Sequence, residues 1–338
     1  MTTLALSVLD LAPISEGFDT VTALGETVAL AQAAEQLGYR RMWFAEHHGM
    51  PSIGSASPEV LIASAAARTQ RIRLGSGGVM LLNHAPLRIV EAFRTLAALF
   101  PGRIDLGIGR APGGDGFAMR AMRAGGGEEF SHYLAELLAF ENDGFPQGHP
   151  LGRVMVAPGG IGLPPLHMLG SSGASAQMAG ELGMGYAFAA HFSPTPPGPA
   201  FEAYRRAFVP SPAFPKPHAI LCVSALCAET DAEAEFLSGS QALSWALFHS
   251  GEIRRLVSPE EAARHDYTEH QRAIIERQRP LWIVGGPKTV ADTILGKVAE
   301  SGADEVMITT QMHSYDKRRD SYRLIAEALG PSMKLAAE

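Results

Sequence analysis

Apolar residues along the chain come in short unbroken runs, and between them lie longer stretches of helical periodicity. LALSVLD (4–10) is an extended apolar run, TVALAQAAEQLGY (27–39) is helical and closed by Gly38, and RMWFAE (41–46) is apolar again. The rhythm continues with a helix at 57–69, a strand at 72–81, a helix opened by Pro86 and running to Phe100, and a strand at 103–109. Further strands follow at 165–170, 186–190, 219–229 and 304–310, which makes eight. Strands that are apolar throughout and alternate with helices imply a parallel sheet covered on both faces. Eight of them predict an α/β fold, a closed (β/α)8 TIM barrel formed by one domain over 1–338, with insertions at 111–164 after strand 4 and at 231–287 after strand 7. The second insertion is expected to be helical. Loops of this length are usually functional and would wall the C-terminal face of the barrel.

Composition narrows the partners. A formal net charge of −7 and the absence of basic clusters argue against nucleic acid or an anionic membrane surface. No apolar run approaches the ~20 residues of a membrane span, and the first ten residues lack the basic start of a signal peptide. Cys222 and Cys227 fall five apart in one strand and face opposite ways, so they are not expected to pair. A cytoplasmic protein acting on a small-molecule substrate is the expectation.

Four stretches carry candidate chemistry. In WFAEHHGM, Glu46, His47 and His48 follow the second strand at the C-terminal rim, where barrel enzymes place their catalytic groups. His47 and Glu46 are the candidate catalytic residues; His48 points the other way. Adjacent histidines on an extended segment diverge, and no HxH, HExxH or CxxC spacing supplies further ligands, so no metal is expected. In LGSSGASAQMAG, Leu169, Gly170, Ser171, Ser172 and Ser175 stand where strand five enters its helix. They suit either an anion held at a helix N-terminus or an ordinary serine cap. LGIGRAPGGD places Arg110 on the rim, suited to a phosphate or to a surface salt bridge; Pro112 replaces the third glycine of a dinucleotide fingerprint, so this is a tight loop. Gly77 and Gly78 interrupt an apolar strand, which suggests close approach of a flat ring, an unusual peptide geometry or tight packing between barrel layers.

Taken together, SVLDLAPISEG, AEQLGYRRMWFAEHHGM, RIRLGSGGVMLLNHAPL, FPGRIDLGIGRAPGGD, HMLGSS and GADEVMI resemble the bacterial luciferase-like flavin monooxygenases, the alkanal monooxygenase alpha-chain-like branch in particular. The resemblance implies a (β/α)8 barrel in which His47 lies beside the reactive edge of the flavin. It also implies that Gly77 and Gly78 form or flank a non-prolyl cis peptide, and that Arg110, Ser171, Ser172 and Ser175 bind the FMN phosphate. The chain departs from the luciferase pattern at Ser171, where that pattern is acidic, and at Ile108 or Gly109, where it has a reactive cysteine. Light emission from an aldehyde is therefore not implied. The resulting expectation is a monooxygenase using reduced FMN, delivered by a separate flavin reductase, and O2. The alternatives are an F420-dependent hydride-transfer enzyme, whose acidic cofactor would favour extra basic residues, and a non-catalytic flavin-binding protein. The helices at 57–69 and 86–100 carry apolar residues beyond one stripe, which points to a homodimer.

Overall fold

The computed structural model describes residues 4–330. Its strands are β1 (Ala5–Asp10), β2 (Arg41–Phe44), β3 (Arg73–Ser76), β4 (Val79–Met80), β5 (Ile104–Gly109), β6 (Leu166–Gly170), β7 (Gly185–Ala189), β8 (Ala219–Cys227), β9 (Trp282–Gly285) and β10 (Glu305–Thr309). Every pairing is parallel, and the path β10-β1-β2-β3-β5-β6-β7-β8 closes on itself where Glu305–Thr309 pair with Ile220–Ser224. This is the expected (β/α)8 barrel of eight staves. The stave formed by β3 is continued by β4, which pairs Val79 with Ile108 of β5.

The two-residue alternation of a strand decides what faces the barrel axis. Leu9, Trp43, Ala45, Ala187, Ile220, Cys222 and Met307 form one buried cluster inside the ring, joined by Leu11 and Leu169. Their neighbours Val8, Met42, Phe44, Tyr186, Phe188, Leu221 and Val223 point outward into the large core beneath the helices. Cys222 and Cys227 are both free and buried.

Three local outcomes differ from the sequence pattern. The first helix spans Thr20–Gln36, not 27–39, because the Asp19 side chain caps it by accepting from the Thr22 amide at 2.7 Å. The strand expected at 72–81 is split, with a cis peptide between Gly77 and Gly78. A Cβ on Gly77 would lie 2.6 Å from Leu9 Cδ1 and 2.9 Å from Trp43 Cβ, and one on Gly78 would lie 2.9 Å from the Gly107 carbonyl. Packing between staves therefore already requires glycine at both positions. The 231–287 excursion holds helices at Asp231–His249, Pro259–Arg264 and Glu269–Gln278, but it ends in β9, which pairs with Ser224–Cys227. The run WIVG is too short to separate by periodicity from the helices around it.

The N-terminal end of the barrel is held by a buried ion network. Arg41 donates through Nε to Glu305 at 2.9 Å and through Nη1 to Asp105 at 2.7 Å. Trp43 Nε1 and Arg73 Nε also donate to Asp105, at 3.1 and 3.0 Å, and His218 pairs with Glu305 at 2.8 Å. Charged groups at this end of a barrel act in stability, because the chemistry belongs to the other end.

Candidate active site at the barrel mouth

The alternation of β2 continues past its end and separates Glu46 from His47. Trp43 and Ala45 point to the barrel axis, so His47 does too, whereas Glu46 follows Phe44 outward. Glu46 is fully buried and its acceptor positions are taken by protein donors. It accepts from the Met80 amide at 2.9 Å, Asn83 Nδ2 at 3.2 Å, His48 Nε2 at 2.8 Å and His84 Nε2 at 2.9 Å. Burial pushes its carboxyl up, but the hydrogen bond and charge of His84, with the bonds from His48 and Met80, outweigh it and hold Glu46 below the ordinary carboxylate range. The imidazole of His84 is pushed down by burial and up, more strongly, by Glu46. Glu46 is thus an ionised anchor between β2 and the loop that follows β4, and it fixes His48 beside it.

His47 is the member of the trio that faces inward. It is half-buried, its side chain makes no hydrogen bond, and its Nδ1 is closed off from solvent without a partner. Burial lowers its pKa, the charge of Glu46 opposes this, and His48 lowers it further. A neutral imidazole at the mouth can hold or move a proton through its other nitrogen.

The serine loop lies on the staves across the mouth. Ser172 is the N-cap of the Gly173–Glu181 helix, in extended conformation, and its side chain makes no capping hydrogen bond. The first amides of that helix therefore lack the partner an ordinary serine cap would give them. Ser175 Oγ donates instead to the Ser172 carbonyl at 3.0 Å, and Tyr186 OH donates to the same oxygen at 3.1 Å. Ser175 thus braces the loop, leaving Ser171 and Ser172 as its free hydroxyls. Gly170 must be glycine, because a Cβ there would meet Ser175 Oγ at 2.0 Å. Leu169, one residue earlier, packs against the barrel interior. Ile108 of β5 is level with Met168 of β6, and two further steps set Arg110 level with Gly170. Arg110 is exposed and makes no ion pair among the described residues, so a surface salt bridge does not account for it.

The structure therefore gathers His47, Gly77, Gly78, Arg110, Leu169, Gly170, Ser171, Ser172 and Ser175 at the C-terminal end of one barrel, and turns Glu46 away from the axis. Sequence reasoning missed Asn83 and His84, whose role exists only through Glu46. Among the described residues, no group of three or more histidine, cysteine or acidic side chains could hold a metal ion, and no helix is long and apolar enough to cross a membrane.

Residues 4–305 match the family model described as luciferase-like monooxygenase. A protein named luciferase-like monooxygenase from Escherichia coli (strain K12) is 39% identical over 325 residues, covering 95% of this chain and 96% of that one. The N-acetyl-S-alkylcysteine monooxygenase of Bacillus subtilis (strain 168) is 33% identical over 332 residues, covering 96% of this chain and 98% of its own. Among solved structures, apo-MsnO8 superposes with a TM-score of 0.85 at 36% identity, covering 97% of this chain and 98% of that one.

Proposed function

The chain belongs to the luciferase-like monooxygenase family, and from that premise we propose that it uses reduced FMN and O2 to oxygenate a small organic substrate. The observation that carries the FMN assignment is the helix N-terminus at Gly173, which its own N-cap serine leaves unsatisfied beside an unpaired Arg110. Exposed amides at the positive end of a helix dipole and a guanidinium at the same level suit a phosphate. Ser171, Ser172 and Arg110 would hold the phosphate, with Gly170 and Ser175 shaping the loop. Leu169, Gly77 and Gly78 would border the ring. Reduced FMN supplies the electrons that activate O2. The chain's part is to bind and orient, to keep the apolar floor of Leu9, Ala45, Leu169 and Ala187 dry, and to hold or move a proton at the open nitrogen of His47.

Arg110→Ala is expected to weaken FMN binding by about 10- to 100-fold, the range of a lost charge-assisted hydrogen bond. Flavin fluorescence titration measures it, with riboflavin as the control because it lacks the phosphate. Riboflavin binding as tightly as FMN would remove the phosphate site. The same titration with F420 separates the two cofactor classes.

The proposal extends to a separate reductase that delivers reduced FMN and to a homodimer built on the Pro58–Ala66 and Pro86–Leu99 helices. Val60 on the first and Leu99 on the second are 62% and 63% exposed. The patch is narrower than the sequence suggested, since Ile89, Val90, Phe93 and Leu96 all point into the core. Sedimentation equilibrium at low micromolar concentration is expected to return the dimer mass, and Val60→Glu combined with Leu99→Glu the monomer mass. A monomer in the unaltered chain would dismiss the interface.

A further inference from the structure

Arg110 is exposed and makes no ion pair among the described residues, so the backbone beneath it decides where its guanidinium stands. That backbone is held on both sides. Before it, Gly109 is paired with Met80 of β4. After it, the Pro112 carbonyl accepts from Asn83 Nδ2 at 3.0 Å and the Gly113 carbonyl accepts from the His48 amide at 2.7 Å. The loop also sits tight against its neighbours. Gly113 has φ +70°, and a Cβ on it would lie 2.9 Å from both the Glu46 carbonyl oxygen and Met80 Cγ.

Both holds lead back to one carboxylate. Glu46 Oε2 accepts from the Met80 amide at 2.9 Å, and Oε1 accepts from Asn83 Nδ2 at 3.2 Å. Glu46 is itself fixed, being fully buried with His48 and His84 also donating to Oε1. Asn83 is therefore shared between the Glu46 carboxylate and the Pro112 carbonyl. Both partners only accept, which turns the amide nitrogen of Asn83 towards them, and its Oδ1 is left buried without a partner. Asparagine suits the place because its short side chain carries two N–H donors on one atom. A serine or threonine has a single hydrogen and could serve only one of the two acceptors at a time.

We propose that Asn83 is a positioning residue for the phosphate-binding arginine, passing the fixed place of the Glu46 carboxylate to the loop that presents Arg110. Glu46 also directly precedes His47 in the chain, so one buried anion sets both the imidazole that holds a proton and the guanidinium that holds the phosphate. A loop tied down before its ligand arrives loses less freedom on binding, so less of the interaction is offset by ordering. The phosphate assigned to Arg110 rests on the proposed function; the hold of Asn83 on the loop does not.

Asn83→Ala provides the test, since it truncates a half-buried side chain and opens no large cavity. In flavin fluorescence titration it is expected to weaken FMN by about three- to tenfold, the range of one net hydrogen bond, and to leave riboflavin, which lacks the phosphate, unchanged. In the Arg110→Ala background the same change should cause no further loss, because a residue that acts through Arg110 then has nothing left to position. Amide hydrogen exchange in the flavin-free chain reads the hold on the loop by itself. The His48 amide, which donates to the Gly113 carbonyl, should exchange about fivefold faster or more in Asn83→Ala. Unchanged FMN affinity, an equal loss for FMN and riboflavin, a full further loss in the Arg110→Ala background, or unchanged exchange at His48 would each overturn the proposal. Faster exchange at His48, with Arg110→Ala itself failing to separate FMN from riboflavin, would uphold the hold on the loop and count instead against the phosphate reading.

Discussion

Arg41→Met is expected to destabilise the folded chain by about 3–5 kcal/mol, the range found when one partner of a buried ion pair is removed. Arg41 serves two carboxylates that are fully buried, Asp105 and Glu305, and methionine fills its volume while leaving both without their main counter-charge. Arg73 still reaches Asp105 and His218 still reaches Glu305, so the fold should persist, weakened. Burial pushes both carboxyls up, but the charge of Arg41 and the surrounding donors outweigh it and hold them well below the ordinary range. Depressed carboxylates contribute stability that is complete above their unfolded pKa, about 4, and is lost as pH falls through the folded value. The difference between the variant and the unaltered chain should therefore be full from neutrality down to about pH 4 and shrink only below it, as the carboxyls protonate. Urea unfolding followed by circular dichroism at pH 7 and at about pH 3, below the unfolded carboxylate pKa, measures this, and a deficit equal at both would assign the effect to packing.

His47→Ala is expected to lower turnover by about 100-fold or more, the usual scale for a positioned acid or base, while changing FMN affinity little. His48→Ala should do less, because His48 points to Glu46 and away from the axis. Glu46→Gln should fall between them: it keeps the shape but removes the charge that holds His48, His84 and Asn83. Product formation in single turnover with bound reduced FMN gives the rate, and flavin fluorescence gives the affinity. Equal small losses at His47 and His48 would return the pair to a packing role.

The barrel was legible because its staves are apolar on both faces, and eight such runs between helices have few other parallel arrangements. What escaped was short or depended on distance. β9 is four residues long and merged with the helices before it. The pairing of Glu46 with His84 joins positions 38 apart in sequence, and no local pattern announces it. The role of Ser175 depends on where Tyr186 returns.

β8 is nine residues long where most of its neighbours have four to six, and its two halves answer to different constraints. Up to Ser224 it closes the barrel against β10, and from Ser224 to Cys227 it carries β9 and with it the helices of residues 231–278. The superstructure beside the mouth is thus joined to the ring by main-chain pairing, and it cannot swing independently without unzipping a strand. It also stands outside the register that closes the ring. Descendants of this chain can therefore rebuild that superstructure while the closure beneath stays as it is.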